Sequence, residues 1–140
     1  MINTKIYKSV YSLTEKLMAA ANKEDREAFD SLYAELKAIC IDNENTGKDH
    51  PEQWETLADF TEELVDAVAG YEKALEKAIA INSKDHMSSI AFSMATMQIE
   101  LGQTDAAIKN LQDAKINANK IEDNELKEEI DDLLETLLAG

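Results

Sequence analysis

One stretch of the chain is written twice. The segments EELVDAVAGYEKAL (residues 62–75) and GQTDAAIKNLQDAK (residues 102–115) align with Ala67 on Ala107, Tyr71 on Leu111 and Ala74 on Ala114, a constant offset of forty, with Asp66 falling against Asp105 or Ala106. A fainter copy, EDREAFDSLYAEL, puts Ala28 and Leu32 thirty-nine residues ahead of Ala67 and Tyr71. A period of this length constrains the fold more than any motif. Each copy is one supersecondary unit that cannot cover its own apolar face, so the copies must stack.

The content of each unit is helical. One proline and four glycines starve β-turns, whereas Ala, Leu, Glu and Lys favour helix. Apolar residues recur at three- and four-residue spacing along seven segments. Helix one, Thr4 to about Ala21, carries Ile6, Val10, Leu13 and Leu17; NKED interrupts it, with Asn22 as a cap. Helix two turns Ala28, Phe29, Leu32, Leu36 and Ile39 inward and ends in a ten-residue loop, Ile41 to His50. Pro51 suits a first helical turn and opens helix three, with Trp54, Leu57 and Ala58 inward. After a tight turn or kink near Thr61 to Glu63, helix four carries Leu64, Val68, Tyr71, Leu75, Ala78 and Ile79. Asp85 caps helix five, whose stripe is Ile90, Met94, Met97 and Leu101, and Gly102 ends it in a left-handed conformation. Helix six turns Ala107, Ile108, Leu111 and Ala114 inward. Helix seven shows Leu126, Ile130, Leu133, Leu134 and Leu137 on one face and acids on the other.

Trp54, Leu57 and Ala58, followed by DAVAGYEKAL and DAAIKNLQDA, resemble the tetratricopeptide repeat family over roughly residues 51–121, and more loosely over 4–41. The resemblance implies one all-α domain over residues 1–140: about seven antiparallel helices, as three hairpins and a C-terminal capping helix in a short right-handed solenoid. The chain departs from the family in lacking its glycine turn between helices three and four and its closing proline, and in a period near forty.

Charge narrows the partners. With 29 acidic against 14 basic residues the formal charge is −15, which repels phosphate backbones and argues against nucleic acid. Residues 1–50 carry nine acids and seven bases, and residues 51–140 carry twenty and seven, so the acidity lies in the last two-thirds. No apolar run approaches the ~20 residues of a membrane helix. The segment MINTKIYKSVYSL breaks its apolar residues with Lys5 and Lys8, unlike a secretory signal. The single Cys40, in LKAIC, excludes an internal disulfide. A cytoplasmic protein with no membrane partner is expected.

Chemistry is sparse. The two histidines stand in two KDH triplets, Lys48–His50 and Lys84–His86, and neither has a second ligand at the three- or four-residue spacing of a metal site. Their plainer reading is punctuation: Asp49 and Asp85 complement helix N-termini. No phosphate-binding or nucleophile motif is present. Glu62–Glu63 and Glu128–Glu129 are adjacent pairs that diverge on a helix rather than converge on one atom. A non-enzymatic protein without catalytic residues, cofactor or metal is expected. Met87, Met94 and Met97 fit a core better than a binding surface.

By the resemblance, first helices line a concave groove, which makes Glu52, Glu55, Asp59, Glu62 and Glu63 the groove-facing positions of helix three, with Ser89, Phe92 and Thr96 on the equivalent face of helix five. Independently, Glu52, Glu55, Asp59 and Glu62 obey the three-and-four rule. From Glu122 to Glu135 eight acids face Lys127 alone, a second ridge containing Glu122, Glu125, Glu129 and Asp132. Such a surface suits a basic protein partner, most concretely a toxin domain neutralised by an immunity or antitoxin protein. The alternative is a scaffold or chaperone adaptor holding an extended peptide, with Phe92 as foothold. The plainest use of the ridges is solubility.

Overall fold

In a computed structural model, which describes residues 2–139, the chain forms α1 (Thr4–Asn22), α2 (Arg26–Asn43), α3 (Pro51–Asp59), α4 (Leu64–Ala80), α5 (Lys84–Glu100), α6 (Thr104–Ala118) and α7 (Asn124–Ala139), with no strand among the described residues. The all-α class with seven helices follows. Each helix packs against the next in the chain, and α1 also meets α3, as α3 meets α5. Successive hairpins therefore lie beside one another with their first helices adjacent.

The repeat is visible in burial. Ala67, Tyr71 and Ala74 of α4 are buried, as are Ala107, Leu111 and Ala114 of α6. In the fainter copy Ala28 and Leu32 are only partly covered, in keeping with its weaker match. Two apolar clusters form. One joins α1 to α5 through Leu17, Leu36, Trp54, Tyr71 and Ile90. The other joins α5 to α7 through Ala95, Leu111 and Ile130. Because α5 gives Ile90 and Met94 to the first and Ala91 and Ala95 to the second, its apolar residues lie on more than one side, and a single stripe understates it. Met87 and Met97 pack against the first cluster, so all three methionines of α5 are packing residues.

Helix ends differ from expectation in detail. Asp25, not Asn22, caps α2, its Oδ1 accepting from Ala28 N at 3.1 Å. The second helix runs on to Asn43, so the loop before α3 is shorter than expected. Ser83 caps α5 and Asp85 lies in its first turn. Gly102 does adopt φ +78°. Ile79, expected inward, is 56% exposed. No helix of the described residues is long and apolar enough to cross a membrane.

Candidate functional site

Pro51 starts α3 and His50 caps it: the ring Nδ1 accepts from Glu52 N at 3.1 Å. That bond requires a neutral ring with its proton on Nε2. Asp49 is not the cap. It accepts from Trp54 Nε1 at 2.8 Å and Asn45 N at 2.9 Å, and pairs with Lys77 at 2.9 Å.

The cap fixes the direction in which α3 presents its acids. Glu52 and Glu55 face the start of α5, where His86 Nδ1 lies 3.3 Å from Glu55 and Nε2 lies 3.6 Å from Glu52. Ser89, one turn on, donates to Glu55 Oε2 at 2.8 Å. The two KDH histidines thus meet in space, their rings 5.2 Å apart in an edge-to-face pair. They titrate in opposite directions. Burial, then the charge on His86, lowers His50 to about 4. The hydrogen bond to Glu55 raises His86 above the ordinary range against its burial, with Glu52 and Asp85 adding to the pull. No cluster of three or more ligating side chains suited to a metal ion occurs among the described residues.

Across from α3 and α5 stands α7. Asp123 Oδ1 accepts from Leu126 N at 3.0 Å, which sets the start of the helix and brings Glu125 and Glu129 over the same space. The result is a cleft of about 400 Å³ walled by Glu52 and Glu55, by Asp85, His86 and Ser89, and by Asp123, Glu125 and Glu129, with Ile121 and Leu126 as its apolar part. Six carboxylates from three directions face one volume, and His86 is the only basic side chain in the lining. Two ridges that look separate in the sequence share a cleft.

Other expected site residues lie elsewhere. Glu62 and Glu63 are not on α3, which ends at Asp59; Glu63 precedes α4, and Glu62 pairs with Arg26 at 2.6 Å. Phe92 packs into the second apolar cluster, and Thr96 turns its hydroxyl onto Ser93 O at 2.6 Å. Glu122 and Asp132 are exposed and do not line this cleft. Asp59 borders a neighbouring groove of about 320 Å³ between α1 and α3, with Tyr7, Tyr11, Met18 and Glu52. Tyr71 donates its hydroxyl to Asp59 at 2.5 Å. Crowding by protein atoms raises the Asp59 carboxyl to about 6, with Glu55 and Glu52 adding to the rise and the Tyr71 bond opposing it; the residue is exposed overall, so water screens part of this effect.

The sequence pattern set His86 aside as helix punctuation and left out the tyrosines of α1. The signal for the latter was present: Tyr7, Tyr11, Thr14 and Met18 follow the three-and-four rule on a face other than that of Val10, Leu13 and Leu17. Comparison with family models, with curated proteins and with solved structures gives no match for this chain.

Proposed function

We propose that the chain is a non-enzymatic protein-binding module of stacked hairpins like those of the tetratricopeptide family, and that the cleft between α3, α5 and α7 docks a basic segment of a partner protein. The observation that carries this is the convergence of six carboxylates on one cleft whose lining contains a single histidine as its basic group. Like charges held together this way raise the free energy of the empty cleft, and a partner's lysines or arginines relieve it. The wider charge of −15 steers such a partner during encounter. In its concrete form the partner is a basic toxin domain, and the chain is its immunity protein, presenting carboxylates where the toxin would receive phosphate.

The test reverses the cleft. Glu52→Lys, Glu55→Lys and Glu129→Lys together should weaken capture of a basic partner from the native cell by at least about tenfold and flatten its salt dependence. Equal retention of the same partner by wild type and triple variant, at low and high salt, rules the cleft out. An adaptor for extended peptides is the second reading. The exposed Tyr7, Tyr11 and Met18 along the α1–α3 groove favour it, in place of Phe92.

A further inference from the structure

Helix α1 leaves an aromatic face uncovered. Tyr7 is 44% exposed, Tyr11 58% and Met18 55%, and the two tyrosine rings lie 6.4 Å apart at 30°. They form one wall of the α1–α3 groove. The other wall carries Glu52 and Asp59, with Val10 and Phe60 as apolar lining. No lysine or arginine pairs with either carboxylate among the described residues; Glu52 has only His86, at 3.6 Å, and Asp59 only the Tyr71 hydroxyl.

We infer that this groove is an arginine-binding site, in which the guanidinium of a basic partner lies against the rings of Tyr7 and Tyr11 and pairs with Asp59 and Glu52. The inference rests on the proposed function and names the side chain by which the partner is held. Complementarity excludes the other occupants. A purely apolar segment, including the apolar face of a second copy, would take two carboxylates out of water with no partner beyond His86 and the Tyr71 hydroxyl, an uncompensated loss of hydration. An anion would meet their charge directly. A lysine would satisfy the charge but offers a compact, strongly hydrated ammonium. A guanidinium is flat, sheds water more readily, stacks on aromatic faces and forks onto a carboxylate. Its methylene stem matches the apolar lining of Val10 and Phe60. The raised carboxyl of Asp59 is consistent with a group waiting for a cation, since a paired guanidinium would draw its proton off. Glu52 also borders the α3–α5–α7 cleft, so a basic segment can run from one groove to the other.

Capped hexa-arginine and hexa-lysine peptides of equal charge separate the possibilities at low salt, with binding followed by titration and by the tyrosine ring resonances. Hexa-arginine should shift Tyr7 and Tyr11, leave Tyr33 unmoved, and bind about tenfold more tightly than hexa-lysine. Tyr7→Leu with Tyr11→Leu keeps an apolar surface and removes the rings; it should bring hexa-arginine down to the hexa-lysine level, and Asp59→Asn should weaken hexa-arginine in the intact pair. Equal affinity for both peptides, unchanged by the leucine substitutions, overturns the arginine site. So do shifts confined to Glu55, Ser89 and Glu129, which would leave the acidic cleft standing as the docking surface. Failure of both peptides to bind overturns the site and the proposed function together.

Discussion

Lys77 is the most enclosed lysine among the described residues, 9% exposed, and three groups from the loop before α3 surround its ammonium: Asp49 at 2.9 Å, Asn45 Oδ1 at 3.3 Å and Glu44 at 3.4 Å. Lys73 reaches the same Glu44 at 2.5 Å, and both lysines lie over the Trp54 ring, at 5.5 and 5.8 Å from its centre. Burial works against the charge on Lys77, but Asp49 and Glu44 outweigh it and hold the group above the usual lysine range. The cluster ties the loop to α4. Lys77→Met should destabilise the fold by about 2 kcal/mol, between the values for an exposed pair and a fully buried one. The cause is an Asp49 carboxylate left charged with only Trp54 and Asn45 as partners. Adding Asp49→Asn should recover part of the loss. Urea unfolding followed by Trp54 fluorescence checks both, and an unchanged midpoint in Lys77→Met would show the pair to be idle. Nothing in KDH announced this role for Asp49, because its partner lies twenty-eight residues on, in the last turns of α4.

At the scale of elements, the contact between α3 and α4 depends on Gly70, where an added Cβ would lie 3.1 Å from Ala58 Cβ and 3.5 Å from its Cα. Alanine there gains about 1 kcal/mol of helix propensity and loses a comparable amount to crowding, so Gly70→Ala should be nearly neutral. Gly70→Leu cannot be accommodated without moving α3 and should cost about 2 kcal/mol; a leucine variant as stable as wild type would show that the two helices are not closely fitted. The existence of these helices was legible because an amphipathic face is a local pattern. Their ends were less so. Asn22 and Asp25, or Ser83 and Asp85, are equally good caps by residue type, but Asn22 still belongs to α1 and Asp85 already lies inside α5, so the turn between helices makes the choice. Ile79 fails for a related reason: it sits beside the α4 stripe, on the rim of an open groove shared with Met87 and Ala91 of α5 and Ile116 of α6. Glu62 was assigned to α3 by extending its period, whereas the backbone N–H groups of Phe60 and Thr61, donating to Leu57 O and Ala58 O, and the Thr61 hydroxyl, donating to Leu57 O, close the helix at Asp59.

For the whole molecule, the acidic character of the site was legible as composition, but its convergence was not. Glu55 and Glu129 become neighbours of one cleft only once α7 docks on α5 and α6, a fact carried by apolar packing rather than by the acids themselves. The histidines show the same limit, since the spacing that dismissed a metal site said nothing about His50 meeting His86. Their titration gives the molecule a pH dependence whose signs oppose. His50 is held at about 4 against an ordinary 6.5, so across that interval the unfolded chain binds more protons and stability rises with pH. His86, raised above 6.5, contributes stability that is complete below that value and is lost as pH climbs through its folded pKa. Asp59, raised from 3.8 to about 6, likewise contributes stability that is complete below 3.8 and lost as pH climbs through 6. Wild-type stability should therefore change little where His50 and Asp59 cancel. His50→Asn breaks the cancellation while keeping a good N-cap for α3. Relative to this variant, wild type should gain about 1 to 2 kcal/mol as pH rises from about 4 to 6.5, a figure already reduced for solvent screening. Urea unfolding of the two proteins across that interval measures the difference, and parallel stability curves would mean that His50 titrates as an ordinary histidine and that burial beside His86 does not hold its ring neutral.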